Sequence, residues 1–122
     1  MNEDEHKLQC ACVQWFNLQH RDLRGLLFAV PNGGARSKAT AGKLKAEGVV
    51  PGVADLILLV PRIEEGCKNM WHALCIEMKT VKGYQSPEQK EWQKKVEQHG
   101  YRYAVCRSFD DFTRTVSEYL GK

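Results

Sequence analysis

Two short apolar runs, at 55–60 and 71–80, bracket a polar loop at 62–69 with Gly66 inside it. Runs of this length bounded by turn residues read as strands, and joined through one loop they make a hairpin. Folding the chain near Gly66 sets positions that sum to about 132 against each other, so Asp55 falls opposite the neighbourhood of Glu77. Side chains alternate along a strand. Ala73, Cys75, Glu77 and Lys79 therefore share one face, and Leu74, Ile76 and Met78 share the other, the face expected to pack on a helix. Two carboxylates and one amine converge at one end of the hairpin, among apolar neighbours.

The rest of the chain follows the same alternation of periods. Residues 4–19 carry Leu8, Ala11, Cys12, Trp15 and Leu18 at helical spacing. Residues 26–30 form an apolar run that stops at Pro31, followed by the Asn32-Gly33-Gly34 turn cluster. Residues 37–47 are good helix formers and Gly48 marks their end. A helix is expected over 86–98, a strand over 101–106 and a last helix over 108–119. Helices interleaved with strands over one small sheet make an α/β domain, a small mixed sheet flanked by helices. At 122 residues the expectation is a single domain spanning 1–122.

Composition narrows the function classes. With 43% hydrophobic and 27% charged residues the chain is an ordinary globular one. Its longest apolar stretch, 56–60, is far short of a membrane span, and its acidic start does not resemble a secretory signal. The expectation is an intracellular, cytoplasmic protein with no membrane partner. The net charge of +3 permits a nucleic-acid partner without demanding one. Five cysteines, Cys10, Cys12, Cys67, Cys75 and Cys106, include no C-x-x-C pair and are expected to be reduced thiols. Cys10 and Cys12 beside His6 fit no standard zinc spacing.

The cluster at the hairpin end is informative because a buried charge must be paired or bound to metal. Adjacent carboxylates repel and favour a cation between them. All-oxygen ligation suits Mg²⁺ or Mn²⁺, and the backbone carbonyl of Met78 is a plausible further ligand. Lys79 is placed to neutralise developing phosphate charge or to position a water. A short D…E-x-K is also common as a structural ion pair at a strand end.

Gly48-Val-Val-Pro51-Gly52-Val-Ala-Asp55-Leu, Cys75-Ile-Glu77-Met-Lys79, Ser86-Pro-Glu-Gln89-Lys-Glu-Trp92 and Gly100-Tyr-Arg-Tyr103-Ala-Val105 together resemble the VRR-NUC family of the PD-(D/E)xK nuclease superfamily. The blocks fall in order across nearly the whole chain. Ala54 stands where the superfamily name has proline, and the chain's proline is at 51. The resemblance implies a restriction-endonuclease-like core and a metal-dependent phosphodiesterase. Asp55 and Glu77 would be metal ligands and Lys79 the catalytic lysine. An acid on the first helix would face the site, and Glu5 matches that position best, with Gln9 one turn along. Glu5 is equally a first-turn acid favoured by the helix dipole. The resemblance sets Gln89 beside the metal, whereas Ser86-Pro87-Glu88-Gln89 is also a capping box. Ser108-x-x-Asp111, with Asp110, reads as a helix cap.

Asn32, Gly33, Gly34, Arg36 and Lys38 follow a strand and open a helix, where backbone amides can hold a phosphate. Lys43 and Lys45 extend that helix, and Lys82, Lys90, Lys94 and Lys95 offer further basic surface. Of the aromatics, mostly core candidates, Tyr84 in its Lys82-Gly83-Tyr84 loop is the one placed to stack on a base or sugar. The resemblance thus implies a structure-selective DNA endonuclease, cutting junctions or flaps to leave 5′-phosphates, in replication, repair or recombination. Its partners would be branched or duplex DNA, a second copy in a homodimer suited to a Holliday junction, and a helicase or replication protein, in a bacterial or phage setting. The contrasting expectation is a catalytically silent DNA-binding accessory module that keeps the nuclease fold.

Overall fold

Leu74–Met78 forms the central strand of the sheet, and all five of its residues are buried. An apolar run covered on both faces behaves this way. The computed structural model describes residues 2–31, 38–63 and 70–122, with the Lys38 side chain outside that set. In chain order its elements are α1 (Glu3–Gln19), a 3₁₀ turn (Arg21–Leu23), β1 (Leu27–Ala29), α2 (Lys38–Ala46), β2 (Leu56–Leu58), β3 (Arg62–Ile63), β4 (Met70–Trp71), β5 (Leu74–Met78), α3 (Pro87–Gln98), β6 (Arg102–Cys106) and α4 (Phe109–Leu120).

The main sheet has the order β1-β2-β5-β6. β2 pairs antiparallel with β5 through Leu56↔Ile76, Ile57↔Cys75 and Leu58↔Leu74, each pair in the register expected from the hairpin. β6 runs parallel to β5 on its other side, and α3 makes the crossover that a parallel pair requires. On one face α1 and α4 close the larger core, where Cys12, Phe16, Leu56, Leu58, Leu74, Ile76, Met78, Phe112 and Val116 meet. On the other face Ala54, Cys75 and Tyr103 pack beneath Trp92 and Val96 of α3. The expectation of one helix-packed face is thus corrected to two, since α3 lies over the Cys75–Glu77 side.

Three further expectations shift. The strand over 71–80 is broken. Met70–Trp71 pairs with Arg62–Ile63 in a separate two-residue ladder. The chain then turns into the main sheet, where the His72 N–H donates to Gly100 O at 2.9 Å. The 62–69 loop therefore begins with a strand residue pair, held by Arg62, whose guanidinium donates to the Tyr119 carbonyl at 2.8 Å. On α1 the buried positions are Cys12 and Phe16, flanked by Leu8, Val13 and Trp15. Ala11 faces outward and Leu18 is 56% exposed, because the helix docks on α4 through an i, i+4 pair and presents only a narrow stripe.

Capping explains where the helices start. Asn2 Oδ1 accepts from the Glu5 N–H at 2.8 Å ahead of three first-turn acids. Ser108 Oγ accepts from the Asp111 N–H at 3.0 Å, and Asp111 Oδ2 accepts from the Arg107 N–H at 3.1 Å. This is the cap expected of that Ser-x-x-Asp. No helix among the described residues is long and apolar enough to cross a membrane.

Candidate active site

The start of β2 meets the end of β5, and Asp55 just before β2, Glu77 within β5 and Lys79 just after it supply the charges. Continuing the β2–β5 register by one pair sets Asp55 against Glu77. Asp55 Oδ2 accepts from the Met78 N–H at 2.6 Å, which fixes the carboxylate at the strand end. A strand residue turns its N–H and C=O toward the same neighbour, so the Met78 carbonyl also faces the Asp55 side.

Glu77 is fully buried. Its Oε1 accepts from the Tyr103 hydroxyl at 2.5 Å and from Gln85 Nε2 at 3.1 Å. Its Oε2 has no hydrogen-bond partner among the described residues. Among the described residues Lys79 is the cation paired with that oxygen, with Nζ 4.0 Å away and a side chain only 16% exposed. Asp55 titrates above the ordinary aspartate range. Burial is the main cause, the Glu77 and Glu5 charges add to it, and the Met78 N–H and Lys79 oppose it. Among the described residues the site is therefore short of positive charge: two carboxylates, one of them with a bare buried oxygen, share Lys79.

That donor set fits a hard divalent ion. Mg²⁺ is characteristically held by one or two carboxylates, waters and substrate phosphates rather than by a full protein cage. Among the described residues no three His, Cys, Asp or Glu side chains converge as a metal cluster. Glu5 is thus not gathered with Asp55 and Glu77 as a third ligand, although its charge reaches Asp55. Cys10 and His6, 3.6 Å apart on α1, likewise stand without a third partner.

A cleft of about 360 Å³ opens beside Asp55, lined by Pro51, Gly52, Val53, Ser86, Glu88 and Gln89. Gln89 makes the cap expected of it. Its Oε1 accepts from the Ser86 N–H at 2.8 Å, and its own N–H donates to Ser86 Oγ at 3.1 Å, completing the capping box. The residue is also among those that line the cleft, and its amide nitrogen has no part in the cap. Gly52, at φ +84°, lies so close to α3 that a Cβ would sit 2.5 Å from the backbone of Glu88.

The other expected contacts are more dispersed. Asn32, Gly33, Gly34 and Arg36 lie outside the described residues, as does the side chain of Lys38. Lys43 is exposed on α2, and Tyr84 is 88% exposed on the loop after β5. That loop is pinned by Arg107, whose Nη1 donates to the carbonyls of Thr80 at 2.9 Å and Gly83 at 2.7 Å. Sequence reasoning treated Tyr103 as core and overlooked Gln85 and Gln93, which the structure joins by a 2.8 Å bond. A tyrosine on an inward strand face needs a partner for its hydroxyl, and that was the available signal.

The family model described as VRR-NUC domain matches residues 1–110. A solved structure of a VRR_NUC domain protein superposes with a TM-score of 0.81 at 25% identity, covering 99% of this chain and 91% of that one. Comparison with curated proteins finds no match.

Proposed function

Since the chain belongs to the VRR-NUC domain family and carries a nuclease-type domain, we propose that it is a divalent-metal-dependent, structure-selective DNA endonuclease. The observation that carries this reading is the paired Asp55 and Glu77, with a bare buried oxygen on Glu77 and Lys79 Nζ 4.0 Å away.

Asp55, Glu77 Oε2 and the Met78 carbonyl would hold Mg²⁺ or Mn²⁺. Such an ion, when bound, polarises the scissile phosphate and lowers the pKa of a bound water. Lys79, with its ammonium 4.0 Å from Glu77 Oε2, would stabilise negative charge building on the phosphoryl oxygens. Glu5 adds negative potential on the α1 side, which favours cation capture. Gln89 lines the cleft beside Asp55, and its side-chain amide nitrogen, which the cap does not use, would donate to a phosphate oxygen or a water there. The exposed Lys43 and Tyr84 supply backbone charge and a stacking face. A domain of this size has little surface for base readout, so branched DNA recognised by shape, a flap or a junction, is the expected substrate. A two-fold dimer would present two such sites to two strands, and sedimentation at micromolar protein tests that part separately.

The test is cleavage of labelled single strand, duplex, 5′ flap, fork and four-way junction with Mg²⁺, Mn²⁺ or EDTA, with Lys79→Ala alongside. Cleavage that requires metal and disappears in the variant supports the proposal and names the preferred structure. Binding without cleavage under every metal refutes it in favour of a silent DNA-binding module.

A further inference from the structure

We propose that Tyr103 and Gln85 are positioning residues that turn Glu77 into a one-sided ligand, an inference that rests on the metal-binding reading above. Both donate to the same oxygen: the Tyr103 hydroxyl at 2.5 Å and Gln85 Nε2 at 3.1 Å from Oε1. A carboxylate offers about four lone-pair directions over its two oxygens, and here the protein's hydrogen-bond donors converge on one of them. Oε2 is left buried without a hydrogen bond among the described residues. An unbraced carboxylate can rotate and exchange its oxygens. This one cannot do so without breaking both bonds, so the bare oxygen is held on the side of Lys79, 4.0 Å from its Nζ.

The brace draws on four parts of the fold. Glu77 comes from β5. Tyr103 comes from β6, where the parallel register places it level with Cys75 and on the face shared with Glu77. Gln85 comes from the loop before α3, and α3 holds it through Gln93 Oε1 at 2.8 Å. The Tyr103 ring is itself set by an edge contact with Trp92, centroids 6.1 Å apart. Outer groups that orient a ligand commonly change metal affinity by about 10–100-fold when lost.

The experiment is calorimetric titration of Mn²⁺ into the full chain, with no DNA present, for wild type, Tyr103→Phe, Gln85→Met, the double variant and Glu77→Gln. Melting in EDTA is measured in parallel. The expected result is a loss of Mn²⁺ affinity of about tenfold or more in Tyr103→Phe. A smaller loss is expected in Gln85→Met and the largest partial loss in the double variant. Metal-free melting temperatures should not track those losses. Wild-type Mn²⁺ affinity in Tyr103→Phe and Gln85→Met, with binding abolished in Glu77→Gln, overturns the positioning role and leaves the metal centre standing. Failure of the wild type to bind Mn²⁺, or undiminished binding in Glu77→Gln, overturns both. If Tyr103→Phe does not fold, Gln85→Met on the half-buried loop decides the question alone.

Discussion

Asp55 is held against its own electrostatics. Burial raises its pKa and the Met78 N–H only partly offsets this. A carboxyl whose folded pKa lies above its unfolded value contributes stability at low pH that is lost as pH rises through the folded pKa. At neutral pH the ionised form is therefore a net liability to the metal-free fold. Asp55→Asn keeps an acceptor for Met78 and removes the charge. It should raise the melting temperature by a few degrees, on the order of 1 kcal/mol, while abolishing Mn²⁺ binding and cleavage. A lower melting temperature in that variant would contradict the account. His20 shows the opposite sign. It is buried beside Trp15 and Phe16, and burial first, then Lys122, lowers its pKa below 6.5 against a smaller pull from Asp22. Its contribution is present above pH ~6.5 and is lost as pH falls through the folded value. His20→Phe should flatten the decline of melting temperature between pH 7 and 5. The thiols of Cys12 and Cys75 are pushed up to about 12 and about 11 by burial. Both should resist alkylation in the native state while the exposed Cys10 reacts.

At the scale of elements, the approach of Gly52 to α3 ties the strand that carries Asp55 to the helix that carries Gln89. Its φ of +84° and the 2.5 Å approach leave no room for a side chain. Gly52→Ala should destabilise the fold by about 2–3 kcal/mol and depress cleavage beyond what the stability loss explains, measured well below the melting temperature. The same scale shows what was legible beforehand. The β2–β5 register followed from two apolar runs and one loop, because a slip of one residue would turn every side chain over. The Ser86–Gln89 and Ser108–Asp111 caps followed from local spacing alone. The Tyr103 brace did not, since it depends on a parallel pairing across α3 whose register no local pattern encodes. The break at His72 was equally hidden, since there the chain leaves β4 and bonds to Gly100, just ahead of β6 and nearly thirty residues away in sequence.

Across the whole molecule, 18 basic against 15 acidic side chains leave a net +3, too little for indiscriminate attraction to DNA. Affinity must come from local contacts. Each phosphate neutralised contributes a log–log salt slope of about −0.9. Lys43→Ala should make that slope shallower by about one unit for fork or junction binding in EDTA, with melting temperature unchanged. An unaltered slope would remove Lys43 from the DNA surface. The contrast between the two cores belongs to this scale as well. The larger one, between the sheet and α1 with α4, gathers Phe16, Leu56, Leu74, Phe112 and Val116. The smaller one, under α3, leads directly to Glu77 and its partners.

The position of β5, between β2 and β6 in the sheet, also sets an order of events during synthesis. The hairpin that brings Asp55 to Glu77 is complete once residue 78 has emerged. Tyr103 and the closing side chains Phe112 and Val116 are translated only later. A nascent chain ending at Gln98 owns both carboxylates but neither the phenol that turns one of them nor the helix that seals the sheet. The paired carboxylates are thus in hand before the residues that brace and cover them, and the two halves of the site come from stretches of sequence translated at different times.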